Sequence, residues 1–407
     1  LSLPSVAGGV AGALILEKPV FFEVYGGVKV YRTVRVLELS GAGYRGGGGD
    51  VVVVDGGAVE EMAGSLGVVV PIKDDEIISL AGVVSGVPHG CPLVIVSASS
   101  REPVDRFRHE VELARAVHGS TGRGVLVFHQ RDPAWGEVLR GTPLEAMLGE
   151  DGLVRMGKGE GMLLGFLAAV WLGARYVGFV DSDNYVPGSV LEYVLAYMAG
   201  FRASGGEYAM VRIKWPYKGK LPGVGGDIYL RRRGRVSVHT NHVINLALSV
   251  VRGIETDVVQ TANSGEHALT RELGLSMPWA GGFAVEPYQL VYLFTSCWLD
   301  PSLSGCPGGR AGVEVLQVET RNPHLHAERG DEHLASMIAV SLGTVYHSPL
   351  GSPRVREEIA RILSEYGYEG EPPAPRVYEA PGRAGGAKLF EEFMSVSREA
   401  VYLEPRG

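Results

Sequence analysis

Cysteine is nearly absent from this chain: Cys91, Cys297 and Cys306 are the only three in 407 residues, with no CxxC pair and no even framework. That count excludes a zinc ribbon or a disulfide scaffold and points to a reducing, cytoplasmic setting. A basic excess is missing as well. The formal net charge is -8, whereas nucleic-acid binders carry a basic footprint, so no nucleic acid is expected and basic clusters read as local pockets for small anions. No apolar run is long enough to span a bilayer, and the first 16 residues lack the basic start of a signal peptide, so no membrane partner is expected. The G-x-x-x-x-G-K-[ST] order of a P-loop and the HExxH of zinc hydrolases are both missing, which lowers the ATPase, kinase and metalloprotease readings. There is no internal repeat.

What is present is enough apolar chain for a large core: 45% of the residues are hydrophobic. Residues 20 to 39 alternate apolar and polar side chains, as a β-hairpin does. Gly41 to Gly46 matches G-x-G-x-x-G, but Val51 to Val54 follows in place of a helix, so the glycines read as a connector. From Val68 onward apolar strands alternate with helical stretches, which implies parallel strands with crossover helices. Four strand ends in series are polar: Pro71 to Asp75, Ser97 to Ser100, His129 to Asp132, and Asp181 to Asp183. Ligands of doubly wound sheets bind outside such carboxyl ends. Later stretches read as strands at Met210 to Trp215, Ile228 to Arg233 and Val313 to Glu319, and as a helix at Val238 to Val251.

The segment Tyr176 to Tyr185 carries the most chemistry. An apolar strand runs into Asp181 and Asp183, spaced i, i+2 and therefore on one side of an extended chain, where two carboxylates can converge on a hard cation. A strand-end Asp-x-Asp suits a sugar-nucleotide transferase, whose metal neutralises charge on the departing diphosphate. The plainer alternative is a turn followed by a helix that starts at Pro187. Lys158, set among glycines before a helix, fits a phosphate oxygen, although a solvated lysine fits the same pattern. Arg231 to Ser237 is the one dense basic cluster; its Arg235 can fork onto a phosphate or carboxylate, or the stretch can be a charged strand edge. Thr261 to His267 reads as the opening of a helix, with Glu266 available to a sugar hydroxyl. His324 and His326, stiffened by Pro323, can bring one imidazole to a metal held by carboxylates.

These stretches, in order, resemble the mannosyl-3-phosphoglycerate synthases, retaining GT-A-type sugar-nucleotide transferases, over roughly residues 66 to 350. The resemblance rests on VVVPIKDDE at 68–76, LAGVVSGVPH at 80–89, FHQRDP at 128–133, GEDGLVRMGKGEGM at 149–162, YVGFVDSDNYVPG at 176–188, MVRIKW at 210–215, GRVS at 234–237, ETDVVQTANSGEHA at 255–268 and ETRNPHLH at 319–326. It implies transfer of mannose from GDP-mannose to the 2-hydroxyl of 3-phosphoglycerate with a divalent cation, Mg2+ foremost and Mn2+ or Co2+ as alternatives, in a homodimer. Asp74-Asp75 stands where Asn-Glu is common in the family.

Carried over residue by residue, the donor site comprises Pro71, Ile72, Lys73, Asp75, Ser99, Gln130, Lys158, Asp181 and Ser182. The acceptor site comprises Gly234, Arg235, Val236, Ser237 and Asn263; the metal site Asp183 with His324 or His326; and the catalytic group Asp181, Asp183, Lys158 and Glu266. The implied fold is α/β, a GT-A-type, Rossmann-like nucleotide-sugar-binding sheet with a mixed acceptor-side region and a C-terminal helical arm. Its regions are an N-terminal segment with hairpin and Gly-rich loop at 1–65, a nucleotide-sugar-binding region at 66–230, an acceptor-binding and metal-completing region at 231–350, and a packing or oligomerisation tail at 351–407. Competing readings are a glucosyl-3-phosphoglycerate synthase, a dolichyl-phosphate mannosyltransferase and, further off, a sugar-phosphate nucleotidyltransferase.

Overall fold

The computed structural model describes residues 12–39, 50–184, 186–221, 229–231, 234–300, 302, 305–327, 331–382 and 385–406. The Gly41–Gly46 connector lies outside them. Short N-terminal strands come first: β1 (Leu14–Glu17), β2 (Phe22–Tyr25), β3 (Val28–Tyr31), β4 (Val34–Glu38) and β5 (Val51–Val54). The expected hairpin is β2 with β3, paired antiparallel from Phe22 opposite Tyr31 to Tyr25 opposite Val28.

The Val-rich runs then form β6 (Leu66–Ile72), β7 (Leu93–Ser97), β8 (Val125–His129) and β9 (Tyr176–Phe179), mutually parallel in the order β8-β7-β6-β9. Helices at Ile77–Gly86, Arg106–Thr121 and Lys158–Trp171 connect them. Strand order reverses between β6 and β9, and in doubly wound sheets the crevice at that point receives the ligand. The helix Lys158–Trp171 is apolar on nearly every side and buried along its length. It seats directly on the sheet because Gly165 has no side chain: a Cβ there would stand 2.3 Å from Val69 Cγ1.

Beyond β9 the sheet turns mixed. β10 (Ala209–Lys214) is followed by β11 (Lys218–Leu221) and β12 (Tyr229–Arg231), then β13 (His267–Thr270), β14 (Trp279–Ala280) and β15 (Val313–Glu319). β13 lies antiparallel between β9 and β10, and β15 runs parallel to β10, β3 and β4. The last strands are β16 (His324–Ala327), β17 (Val377–Tyr378) and β18 (Val401–Leu403). Among the described residues the main sheet has thirteen strands, with β12-β11-β16 and β14-β17 as small side sheets. Strands from the N-terminal segment and from the tail thus belong to the same sheet as the central parallel strands.

Two expectations need correction. The C-terminal arm is helical only in part: a helix spans Gly386–Val396, then the chain extends into β18, which covers the edge of β8. Phe390 and Phe393 are buried against Trp135, the Phe393 ring stacking on the indole at 3.8 Å. That apolar face is used within the chain. The cysteine reading also fails, because Cys297 and Cys306 form a disulfide. Spacing alone gives no sign of it; Cys297 is held at the turn of the β2–β3 hairpin, where Gly27 N donates to Cys297 O. Cys91 is free and buried. Replacing Cys297 and Cys306 together by Ala should cost about 2 to 3 kcal/mol, the scale for closing a short loop, with turnover unchanged. Thermal unfolding of wild type and double variant measures this, and coincident unfolding curves would refute it.

Candidate active site

The carboxyl ends of β6 and β9 open into one cavity of about 920 Å³. At its β6 end, Pro71, Ile72, Lys73 and Asp75 line the wall. The turn is held by Asp74, a non-glycine residue at φ 59°, whose carboxylate accepts from Ser100 N at 2.8 Å and Ser100 Oγ at 2.7 Å. Ser99 does not line the cavity, for its hydroxyl accepts from Asp74 N at 2.9 Å and braces this turn from below. Ser182 Oγ donates to Asp75 Oδ2 at 2.5 Å and ties the two strand ends together across the crevice.

Lys158 enters at the first position of its helix. Its ammonium lies 2.6 Å from Asp181 Oδ1 and 2.8 Å from Glu286 Oε1, forming a mostly buried triad. Burial alone would favour the neutral amine, yet the two carboxylates hold its pKa well above the ordinary lysine value. Gly265 is a spatial requirement: a Cβ there would stand 2.4 Å from Asp181 Oδ2 and 2.9 Å from Lys158 Nζ. Gln130 lines the cavity and steadies the entry to this helix by donating to Arg155 O and Gly157 O. Glu160, in the same helical turn, accepts from Gly282 N and from Tyr378 Oη at 2.6 Å, anchoring the tail to the site. Residues 373 to 376 of that tail form one wall of the cavity.

The stretch before Glu266 is not helical. Arg212, fully buried on β10, donates to the Thr261 and Ala262 carbonyls and keeps the chain open until β13 begins at His267. Glu266 is fully buried, and among the described residues both its carboxylate oxygens lack a hydrogen-bond partner. Burial first, and then Asp181, push its pKa up to about 8. His324 Nδ1 stands 3.5 Å away. His324 and Asp183 both line the cavity, whereas the side chain of His326 lies outside the described residues. Among the described residues no three His, Cys, Asp or Glu side chains converge as a ready-made metal cage. One or two carboxylates with an imidazole, and buried oxygens short of a donor, do fit a cation whose remaining ligands are substrate phosphates.

The acceptor candidates also reach this cavity. Gly234 caps the helix Arg235–Arg252 and, with Arg235, Val236, Ser237 and Asn263, lines the wall. The basic stretch therefore begins a helix at Arg235, while β12 ends at Arg231. Asn263 Nδ2 donates to Ser341 Oγ at 2.9 Å. Sequence reasoning missed Glu286, Trp215, Lys218 and the tail wall. Glu286 follows an unremarkable Gly-Gly-Phe-Ala-Val, so only its distance to Lys158 reveals it. Lys218 could have been noticed as a lysine just past the quoted Met210–Trp215 strand. No helix among the described residues is long and apolar enough to cross a membrane.

The family model described as mannosyl-3-phosphoglycerate synthase matches residues 18–393. A curated mannosyl-3-phosphoglycerate synthase of Aeropyrum pernix is 50% identical over 389 residues, covering 96% of this chain and 99% of the relative. One from Pyrococcus furiosus is 39% identical over 363 residues, covering 88% and 92%. Among solved structures, glucosyl-3-phosphoglycerate synthase from Mycobacterium tuberculosis in complex with phosphoglyceric acid is 21% identical, covers 71% of this chain and 81% of its own, and has a TM-score of 0.43.

Proposed function

We propose, from the premise that this chain belongs to the mannosyl-3-phosphoglycerate synthase family, that it transfers mannose from GDP-mannose to the 2-hydroxyl of 3-phosphoglycerate with retention of anomeric configuration. The observation that carries the reading is a single cavity at the β6–β9 switch point, lined by Asp181, Asp183 and Lys158 on one side and by Arg235 and Ser237 on the other. Residues 66–230 hold the donor in this reading, residues 231–350 the acceptor, and a homodimer is part of the same reading. Pro71, Ile72, Lys73 and Asp75 cradle the nucleoside. Asp181 orients ribose and sugar, Lys158 meets the diphosphate, and Glu266 faces the sugar. A divalent cation, Mg2+ foremost, would be held by Asp183 and His324; bound there, it supplies Lewis-acid neutralisation of charge on the leaving diphosphate. The chain's own part is to fix both substrates and exclude water, which converts an encounter of two molecules into one oriented complex. A donor-by-acceptor matrix that follows nucleoside diphosphate release tests the assignment; strong preference for another nucleotide sugar, or full rate in excess chelator, would defeat it.

Arg235 is assigned to the acceptor phosphate. Arg235→Ala then removes a charge-assisted contact of about 1.5 to 3 kcal/mol. The KM for 3-phosphoglycerate should rise on the order of tenfold to a hundredfold, with the donor KM nearly unmoved. Equal losses with 3-phosphoglycerate and with unphosphorylated glycerate would remove the phosphate from Arg235.

A further inference from the structure

We propose that Lys218 is the cation that binds the carboxylate of the acceptor, and that it is therefore the residue that separates phosphorylated 2-hydroxy acids from phosphorylated polyols. This deepens the acceptor reading above and rests on it. An acceptor of that class carries two anionic groups, one on each side of the hydroxyl that attacks. Arg235 accounts for one of them, so a second cation is required in the same half of the cavity.

The basic side chains that line the cavity differ in what they face. Lys158 is already flanked by two carboxylates at 2.6 and 2.8 Å. Arg376, on the tail wall, faces Glu160 at 3.7 Å. Lys73 belongs to the turn after β6, at the nucleoside end. Lys218 has no carboxylate within ion-pair distance among the described residues; the carboxylate its charge reaches is the buried Glu266, whose pKa it draws down against burial and Asp181. It opens β11 directly opposite His324 of β16 in parallel register, and both side chains line the cavity. Its stem runs beside the acceptor turn, because a Cβ on Gly234 would stand 3.3 Å from Lys218 Cδ. Its ammonium lies 4.3 Å from the centre of the Trp215 ring, itself buried. A lysine laid along an indole is seated rather than swinging, so its charge is delivered to one place. That place adjoins His324 on one side and the residue before Arg235 on the other. An anion drawn to Lys218 while its phosphate rests on Arg235 spans the acceptor turn and holds its central hydroxyl beside the donor end of the cavity.

The test is to measure affinity for 3-phosphoglycerate and for glycerol 3-phosphate, which lacks the carboxylate, on protein supplied with nucleoside diphosphate and divalent cation. Lys218→Met keeps an unbranched stem over Trp215 and removes the charge; Lys218→Arg keeps the charge. Wild type should prefer 3-phosphoglycerate by about tenfold or more, the scale of one charge-assisted hydrogen bond. Lys218→Met should lose most of that preference by weakening 3-phosphoglycerate, with glycerol 3-phosphate within about twofold of wild type, and Lys218→Arg should retain it. Equal weakening of both ligands would assign Lys218 to the phosphate or to the fold, and no change in either would make it a spectator; each result overturns the proposal. Wild type that binds neither ligand would overturn the acceptor reading itself, a failure visible before any variant is made.

Discussion

Asp183→Ala should lower kcat by at least about 10²-fold, the scale on which loss of one strong electrostatic stabiliser acts. Asp183 stands in the turn past the carboxyl end of β9 and lines the cavity, as Asp181 does. Asp181 and Asp183 both push up the pKa of the buried Glu266, so three acidic groups oppose one another at this end of the cavity. The variant's melting temperature without ligands should therefore hold or rise while turnover collapses. Titration of Mg2+ or Mn2+ against initial rate is the appropriate measurement. A kcat close to wild type at saturating metal would reduce Asp183 to a turn residue.

Lys158→Met should damage both stability and rate, for separable reasons. The substitution leaves Asp181 and Glu286 without the cation that now lies between them at 2.6 and 2.8 Å. Breaking a buried charge cluster in this way costs about 3 to 5 kcal/mol. With Lys158 assigned to the diphosphate as proposed, the substitution should cut kcat by about 10² to 10³-fold. Adding Glu286→Gln removes one stranded charge, so the double variant should regain most of the stability and none of the rate. Chemical denaturation and steady-state kinetics on the same two proteins separate the effects; recovery of both together would mean that the lysine serves only the fold.

The parts of the site that lie close together in sequence were legible before the fold was known. Asp181 with Asp183, Lys158 among its glycines, and Gly234 to Ser237 each announce themselves within a few residues, because strand alternation and helix starts are local rules. Partners brought in from elsewhere were not legible. Glu286 reaches Lys158 across more than a hundred positions of sequence, and no local period marks it. The pattern around Glu266 could open a helix, yet a strand follows it; the buried Arg212, 54 positions earlier, decides this by donating to the Thr261 and Ala262 carbonyls. The return of β18 to the edge of β8 is illegible for the same reason, and the Cys297–Cys306 bond because two cysteines nine positions apart carry no pairing signal of their own.

The placement of β15 beside β3 and β4 also determines when this sheet can exist. Gln317 Nε2 donates to Tyr31 O, and 286 positions separate the two residues. During synthesis at about 5 to 20 residues per second, the first strands emerge roughly 15 to 60 s before the strand that they flank. Through that interval they are short, Val-rich and without their central neighbour, and contacts so distant in sequence form slowly. The half that holds Lys158 and the two aspartates can assemble around β6 to β9 first, with the N-terminal strands waiting to be captured once β15 has left the ribosome.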